Sequence, residues 1–287
     1  MTADLSTALG RGQRGNRVLR QVYDASTGQL AIGVSPGSDA AEARAGDFTV
    51  YVDPTTRKSS VIPFVVPGGV RNSVIAGVGP GNALVVVNGA KARITKRLPT
   101  RVESVWPVGS GARHAVFQGS EIVRKPAYQY RDTLLSVDLV SGAVVPIVSP
   151  HIGPWGFTCL GDRAGGIVCN GSEDLRMTEI LGIDDATGRK IWGFTEQQGA
   201  VPRITAAFHG VVYAQNGAKP VLLDISTGKY LSTSAPSSAL SSSLELFDNA
   251  VQSPTAVTPY GGVYLQPATG TASYDNEAIL VALRPTG

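Results

Sequence analysis

The sequence predicts an all-β protein, most simply a six-bladed β-propeller, with seven blades as the runner-up. Short runs of Val, Ile, Tyr and Leu alternate with Gly-, Asn- and Pro-bearing turns along the chain, the pattern of strands joined by tight hairpins. With 34 glycines and 18 prolines among 287 residues, no interval between turn signals suits an ordinary helix. Hairpin pairs recur every 40–55 residues or so, close to the period of a propeller blade. A sandwich or jelly roll has no reason to repeat at that interval.

Composition narrows the classes. The chain is 43% hydrophobic and 16% charged, which excludes a disordered chain. A net charge of +3 is too small to imply nucleic acid, and no nucleic-acid-reading motif is present. No apolar run is long enough to span a membrane.

Taken in order, residues 1–16 are polar and carry Arg11 and Arg14. They read either as a solvated arm or, through Ala3–Leu9, as the strand that closes the ring. The last unit stops at Arg284-Pro285-Thr286-Gly287, where a fourth strand is due, and an unpaired outer edge is costly. Residues 17–287 read as a single propeller domain. Its first unit, Arg17–Val66, supplies four strands. The second opens near Val70, turns at Asn88-Gly89, the strongest two-residue hairpin signal in the chain, and ends in a basic outer strand. The third has Ser104–Gly119 as its first hairpin and places Arg124–Arg131 in a long inter-strand loop. The fourth spans Gly153–Thr195. The fifth centres on Gly210–Leu231, read as three antiparallel strands. A serine-rich connection, Ser232–Ser243, precedes the sixth unit, Ser253–Gly270 with Ala278–Gly287.

The fourth and fifth units share a motif. Gly166-Ile167-Val168 leads to Asp184, Thr187-Gly188 and Trp192, and Gly210-Val211-Val212-Tyr213 leads to Asp224 and Thr227-Gly228. Asp138 with Ser141-Gly142 is a weaker copy in the third unit. The Asp can accept from amides of its own turn, and the Gly permits positive φ. These residues resemble the repeats of the pyrroloquinoline-quinone-like (PQQ-like) β-propeller family. The resemblance implies that Trp192 docks flat between neighbouring blades. Enzymes of that family hold a quinone and calcium in the central channel beneath an adjacent Cys-Cys pair, which this sequence lacks. Its length is nearer the non-catalytic branch, for which no cofactor is expected.

Cys159 and Cys169 flank Gly161–Gly166 on two arms of one hairpin. With Ala164 at the turn they face each other within disulfide reach, the alternative being two reduced buried thiols. A disulfide points to an exported protein, in a periplasmic or cell-surface compartment. The opening residues lack the apolar core of a secretory signal, so the protein is either cytosolic or has lost a leader or a lipoprotein-like anchor; the cysteines favour the second, an exported bacterial protein. His114, His151 and His209 are each isolated, and no hydrolase or metal-ligand spacing occurs. No metal site is expected.

Binding candidates are therefore the remaining signal. On a strand, Lys91, Arg93 and Thr95 share one face, and the stripe suits an acidic partner, anionic lipid headgroups or a charged, protected edge. Arg124, Lys125, Tyr128, Tyr130 and Arg131 combine the residue types enriched at binding hot spots. Trp106 and Trp155 occupy comparable places in the third and fourth units, suited to packing or to lining a channel mouth. The expectation is a non-catalytic scaffold or protein–protein interaction platform, monomeric alone, that is exported or held near a membrane by an anchor or partner. The alternative is a ligand sensor or a quinone- or metal-dependent enzyme using the central channel, and a third reading, resting on surface Tyr and Trp alone, is a cell-envelope polysaccharide binder.

Overall fold

The computed structural model describes residues 17–35, 46–98, 102, 104–124, 128–152, 156–173, 176–216, 219–231, 256–258, 261–267 and 278–283. Six antiparallel sheets lie among them, each a meander in which strands adjacent in sequence are adjacent in space. The first contains β1 (Arg17–Tyr23), β2 (Leu30–Ser35), β3 (Phe48–Asp53) and β4 (Lys58–Pro63). The second contains β5 (Val66–Arg71), β6 (Val74–Gly79), β7 (Ala83–Asn88) and β8 (Arg93–Arg97). β9 (Ser104–Ser110), β10 (His114–Arg124), β11 (Tyr128–Asp138) and β12 (Val144–Ile152) form the third. The fourth is β13 (Gly156–Gly161), β14 (Gly166–Glu173), β15 (Arg176–Asp184) and β16 (Arg189–Thr195). The fifth is β17 (Arg203–Phe208), β18 (Val211–Asn216) and β19 (Lys219–Asp224), and the sixth β20 (Ala256–Thr258), β21 (Gly261–Pro267) and β22 (Ala278–Leu283). The described helical residues are two 3-10 turns, Pro80–Asn82 and Glu196–Gln198.

The chain divides into two compact units. The first is residues 1–159 with the turn 185–189, and the second is residues 160–184 with 190–287. In the first unit, Val22, Tyr51, Ile62, Ile75 and Val87 form one buried cluster, and Leu84, Val105, Phe117, Leu135 and Leu139 another. The second unit buries Val168, Ile180, Val212, Leu223 and Ile225 together. Each such side chain contributes about 1.5–3 kcal/mol through burial. In the β1–β2, β5–β6, β9–β10 and β17–β18 pairs the register slips by one residue partway along. A bulge increases local twist, so its recurrence bends each first hairpin in a similar way.

Several sequence expectations need correction. Asn88-Gly89 does not make a two-residue hairpin; residues 89–92 form the turn, in which the Asn88 side chain accepts from the Lys91 amide at 2.9 Å. Gly89 is required there by packing, because a Cβ would lie 2.8 Å from the Tyr51 ring. The long loop at Arg124–Arg131 is instead the end of a long hairpin, with Arg124 opposite Tyr128 and Glu121 opposite Arg131. Alternating Ile122, Val123, Tyr128 and Tyr130 favour continued pairing. The third strand of Gly210–Leu231 is reduced to a single bridge, Tyr230 to Leu223, with the Leu231 amide donating to Leu222. Thr95 is a bulge, so Lys91, Arg93 and Thr95 do not form one regular stripe. Arg93 and Lys96 oppose Asn88 and Val86, while Ile94 and Arg97 oppose Val87 and Val85. Closure by residues 1–16, the connection Ser232–Ser243, Lys125, Trp155 and the final turn lie outside the described residues.

Candidate binding surfaces

Aspartates fix the tight turns that join strands at one end of each hairpin. Asp24 accepts from the Ser26 amide at 2.9 Å and the Thr27 hydroxyl at 2.8 Å, and Asp138 from the Val140 amide at 2.7 Å. Asp224 accepts from the amides of Ser226 and Thr227, both at 2.9 Å. Gly28, Gly142, Gly188 and Gly228 sit at the left-handed position of these turns, with φ of 73, 69, 68 and 70°. The aspartates therefore spend their acceptors on backbone, as short polar side chains do in turns.

Some caps reach a neighbouring turn. Asp24 also accepts from the Asn72 amide at 3.1 Å. Asp162 accepts from Ala164, Gly165 and Gly166 through one oxygen and from Gly210 at 2.8 Å through the other. Asp185 takes the amides of Ala112, Arg113 and His114 at 2.7, 3.0 and 2.8 Å, which is why its turn belongs to the first unit. The His114 ring is buried, with Nδ1 2.6 Å from the Asp185 carbonyl. Burial alone disfavours the imidazolium, but the carboxylate and carbonyl of Asp185, with the charge of Asp138, outweigh it and raise the His114 pKa above 6.5. Asp138 is held down at about 2: partial burial pushes it up, and the Arg113 guanidinium at 2.8 Å with the Val140 and Ser141 amides overcomes that push.

This use of carboxylates polarises the first unit's surface. Asp24, Asp47, Asp53, Asp132, Asp138 and Asp185, the carboxylates of this unit with described side chains, are all buried. Arg57, Lys58, Lys91, Arg93, Lys96 and Arg97 are exposed. They lie on or next to the outer strands β4 and β8, and the two strands' surroundings meet where the Ser60 hydroxyl donates to the Gly89 carbonyl at 2.5 Å. The whole-chain charge conceals this segregation, because it counts buried acids against exposed bases.

The second unit fastens its sheets differently. Trp192 donates its Nε1 hydrogen to the Ile225 carbonyl at 2.6 Å and lies over Gly228, where a Cβ would come within 2.5 Å of the indole. Trp192 stacks on Phe194 with centroids 6.3 Å apart. Asn170, buried in β14, accepts from the Ile204 amide and donates to the carbonyls of Glu179 and Pro202. Gln118 does the corresponding work in the first unit, accepting from the Phe157 amide at 2.9 Å. Sequence reasoning missed both amides, although each follows the middle of a second strand, in Phe117-Gln118-Gly119 and Cys169-Asn170-Gly171. It also passed over Asp24, whose Asp-Ala-Ser-Thr-Gly run repeats the fifth unit's motif.

Of the residues singled out for binding, Trp106 is half-buried on β9, opposite Gln118. Arg124, Tyr128, Tyr130 and Arg131 occupy the distal register of the β10–β11 hairpin. Cys159 and Cys169, on β13 and β14, are buried and disulfide-bonded. Asp184 ends β15, and Thr187 lies in the turn that follows. Among the described residues no cluster of three or more His, Cys, Asp or Glu could hold a metal ion.

The fold and these surfaces define an all-β protein of consecutive antiparallel meanders, the strand organisation found in propellers. No family model matches the chain, and no curated protein matches it. Among solved structures it is similar to apo AztD from Citrobacter koseri, at 17% identity and a TM-score of 0.42, over 71% of this chain and 56% of that one. It is also similar to BamB from Moraxella catarrhalis, at 10% identity and a TM-score of 0.31, over 74% and 75% of the two chains. Sqt1 from Saccharomyces cerevisiae shows 10% identity and a TM-score of 0.44, over 76% and 61%. The chain thus spans little more than half the length of AztD. Likenesses this distant bear on neither partner nor activity.

Proposed function

We propose that this protein is a non-catalytic, PQQ-like-repeat propeller of an exported or membrane-anchored protein, and that it serves as a docking platform for an acidic protein partner. The observation that carries the reading is the charge segregation of the first unit, whose described carboxylates are buried while Arg93, Lys96 and Arg97 stand exposed on an outer strand. A basic edge strand offers a partner two things together: backbone groups for an added strand and cations for its carboxylates. The register end of the β10–β11 hairpin, with Arg124, Tyr128, Tyr130 and Arg131, is a second contact region, and Trp106 a third. The Cys159–Cys169 disulfide supports an oxidising compartment.

Capture from an envelope extract tests this reading. The wild-type protein and an Arg93→Glu/Lys96→Glu variant are used as paired baits, with bound proteins identified by mass spectrometry. An acidic protein retained by the wild type and lost by the variant is the expected result. Equal capture by both baits would remove β8 from the account.

A further inference from the structure

The second unit holds an open cleft of about 380 Å³ that the basic strand and the capped turns leave unused. That volume lies toward the small end of ligand sites, which run roughly 300–1,000 Å³. Phe194 and Tyr230 line it, with Gly228 between the structures that carry them. The Phe194 ring is placed by its stacking on Trp192, and the Tyr230 backbone by its bridge to Leu223. Tyr230 is 53% exposed and therefore presents a ring that the fold has not used.

Two carboxamides complete the lining. The Gln198 Oε1 accepts from the Thr195 amide at 3.0 Å, which orients the side chain and leaves its NH₂ hydrogens available. Asn216 is exposed and also lines the cleft. Among the described residues the other lining residues are small, and none is charged. Arg176 and Glu196, the nearby ionic pair, are matched to each other and stand outside the lining.

We infer that this cleft binds an uncharged saccharide chain. A pyranose ring has an apolar C–H face that covers an aromatic ring and a rim of hydroxyls that both donate and accept. Those features correspond to Phe194 and Tyr230 on one hand and to Asn216 and Gln198 on the other. An anionic ligand would find no cation among the described lining residues, and a purely apolar one would make no use of the Gln198 NH₂ or the Asn216 carboxamide. A proline-rich segment also packs on aromatic rings. Its imide backbone offers acceptors only, however, and would leave the Asn216 carbonyl without a donor.

The test is calorimetric titration, with indole fluorescence near Trp192 as a second readout. The probes are cellohexaose, maltohexaose and N-acetylchitohexaose, compared with an oligogalacturonate and a proline-rich peptide. At least one neutral oligosaccharide is expected to bind. Its affinity should fall about tenfold or more, at least 1.4 kcal/mol, in Tyr230→Ala and in Asn216→Ala, while Tyr230→Phe retains stacking and most of the binding. Both positions are exposed, so the variants fold. Binding that Tyr230→Ala leaves unchanged would overturn the inference. So would silence from all three neutral probes, or a response to the oligogalacturonate or the peptide alone.

Discussion

The two units use the same kind of Asp-capped turn, and each adds a fastening of its own. In the first, a buried carboxylate, Asp185, collects three backbone amides and a buried histidine. In the second, an indole lies on a glycine and reaches one carbonyl. Their surfaces differ in the same sense. The first unit's described carboxylates are buried while Arg93, Lys96 and Arg97 are exposed, whereas the second pairs Arg176 with Glu196 and Lys190 with Glu179 and lines a cleft with Phe194 and Tyr230. The difference shows that one turn motif can set the backbone while the packing around it differs from unit to unit.

The comparison is broken most severely at Asp185. Asp185→Ala strips the acceptor from the amides of residues 112–114 and should cost about 3–5 kcal/mol, the range for breaking a buried charged network. Native-state hydrogen exchange should show the loss in β9 and β10 and spare β18 and β19. Trp192→Ala is the mirror experiment. A cost of about 3 kcal/mol, the low end for losing a large aromatic because Trp192 is only half-buried, should open β18 and β19 and spare β10. If either variant loosened both units equally, the fastenings would not be separate.

A smaller effect comes from the disulfide. Replacing Cys159 and Cys169 by Ser removes a short closed loop and should lower stability by about 2–3 kcal/mol. Intact mass with and without reductant verifies the bond itself.

Smallest and most selective is the response to pH. The His114 pKa is raised in the folded state above its ordinary 6.5, so its contribution is complete below that value and is lost as pH rises through the raised one. Asp138 runs the other way. Its contribution is complete above 3.8 and is lost as pH falls toward about 2. The first unit should therefore be most stable between these limits, and His114→Gln should flatten the alkaline side of the curve. Thermal unfolding followed from pH 2 to 9 measures both slopes.

Strand positions were legible because their signals are local. Val211-Val212-Tyr213 and Val221-Leu222-Leu223 alternate between turn residues, and β18 and β19 follow them. The disulfide was legible for a similar reason, its cysteines lying on the arms of one hairpin. What failed was information that depends on a neighbour. Asn88-Gly89 reads as a two-residue turn until the Tyr51 ring closes over Gly89, and Thr95 reads as one of a regular stripe until the register shows the bulge. The basic surface was only half visible. The bases are evident in the sequence, but the burial of Asp24, Asp138 and Asp185 becomes apparent only when each is seen capping a turn. The cleft was not visible at all, since Phe194, Asn216 and Tyr230 come from separate segments.

The most direct test of the basic docking surface is fluorescence anisotropy of a labelled oligoglutamate peptide titrated with the protein at low and raised salt. Saturable binding that weakens with salt and is abolished by Arg93→Glu/Lys96→Glu is the predicted result. Binding that the double variant retains, or no binding by the wild type at low salt, would contradict the account.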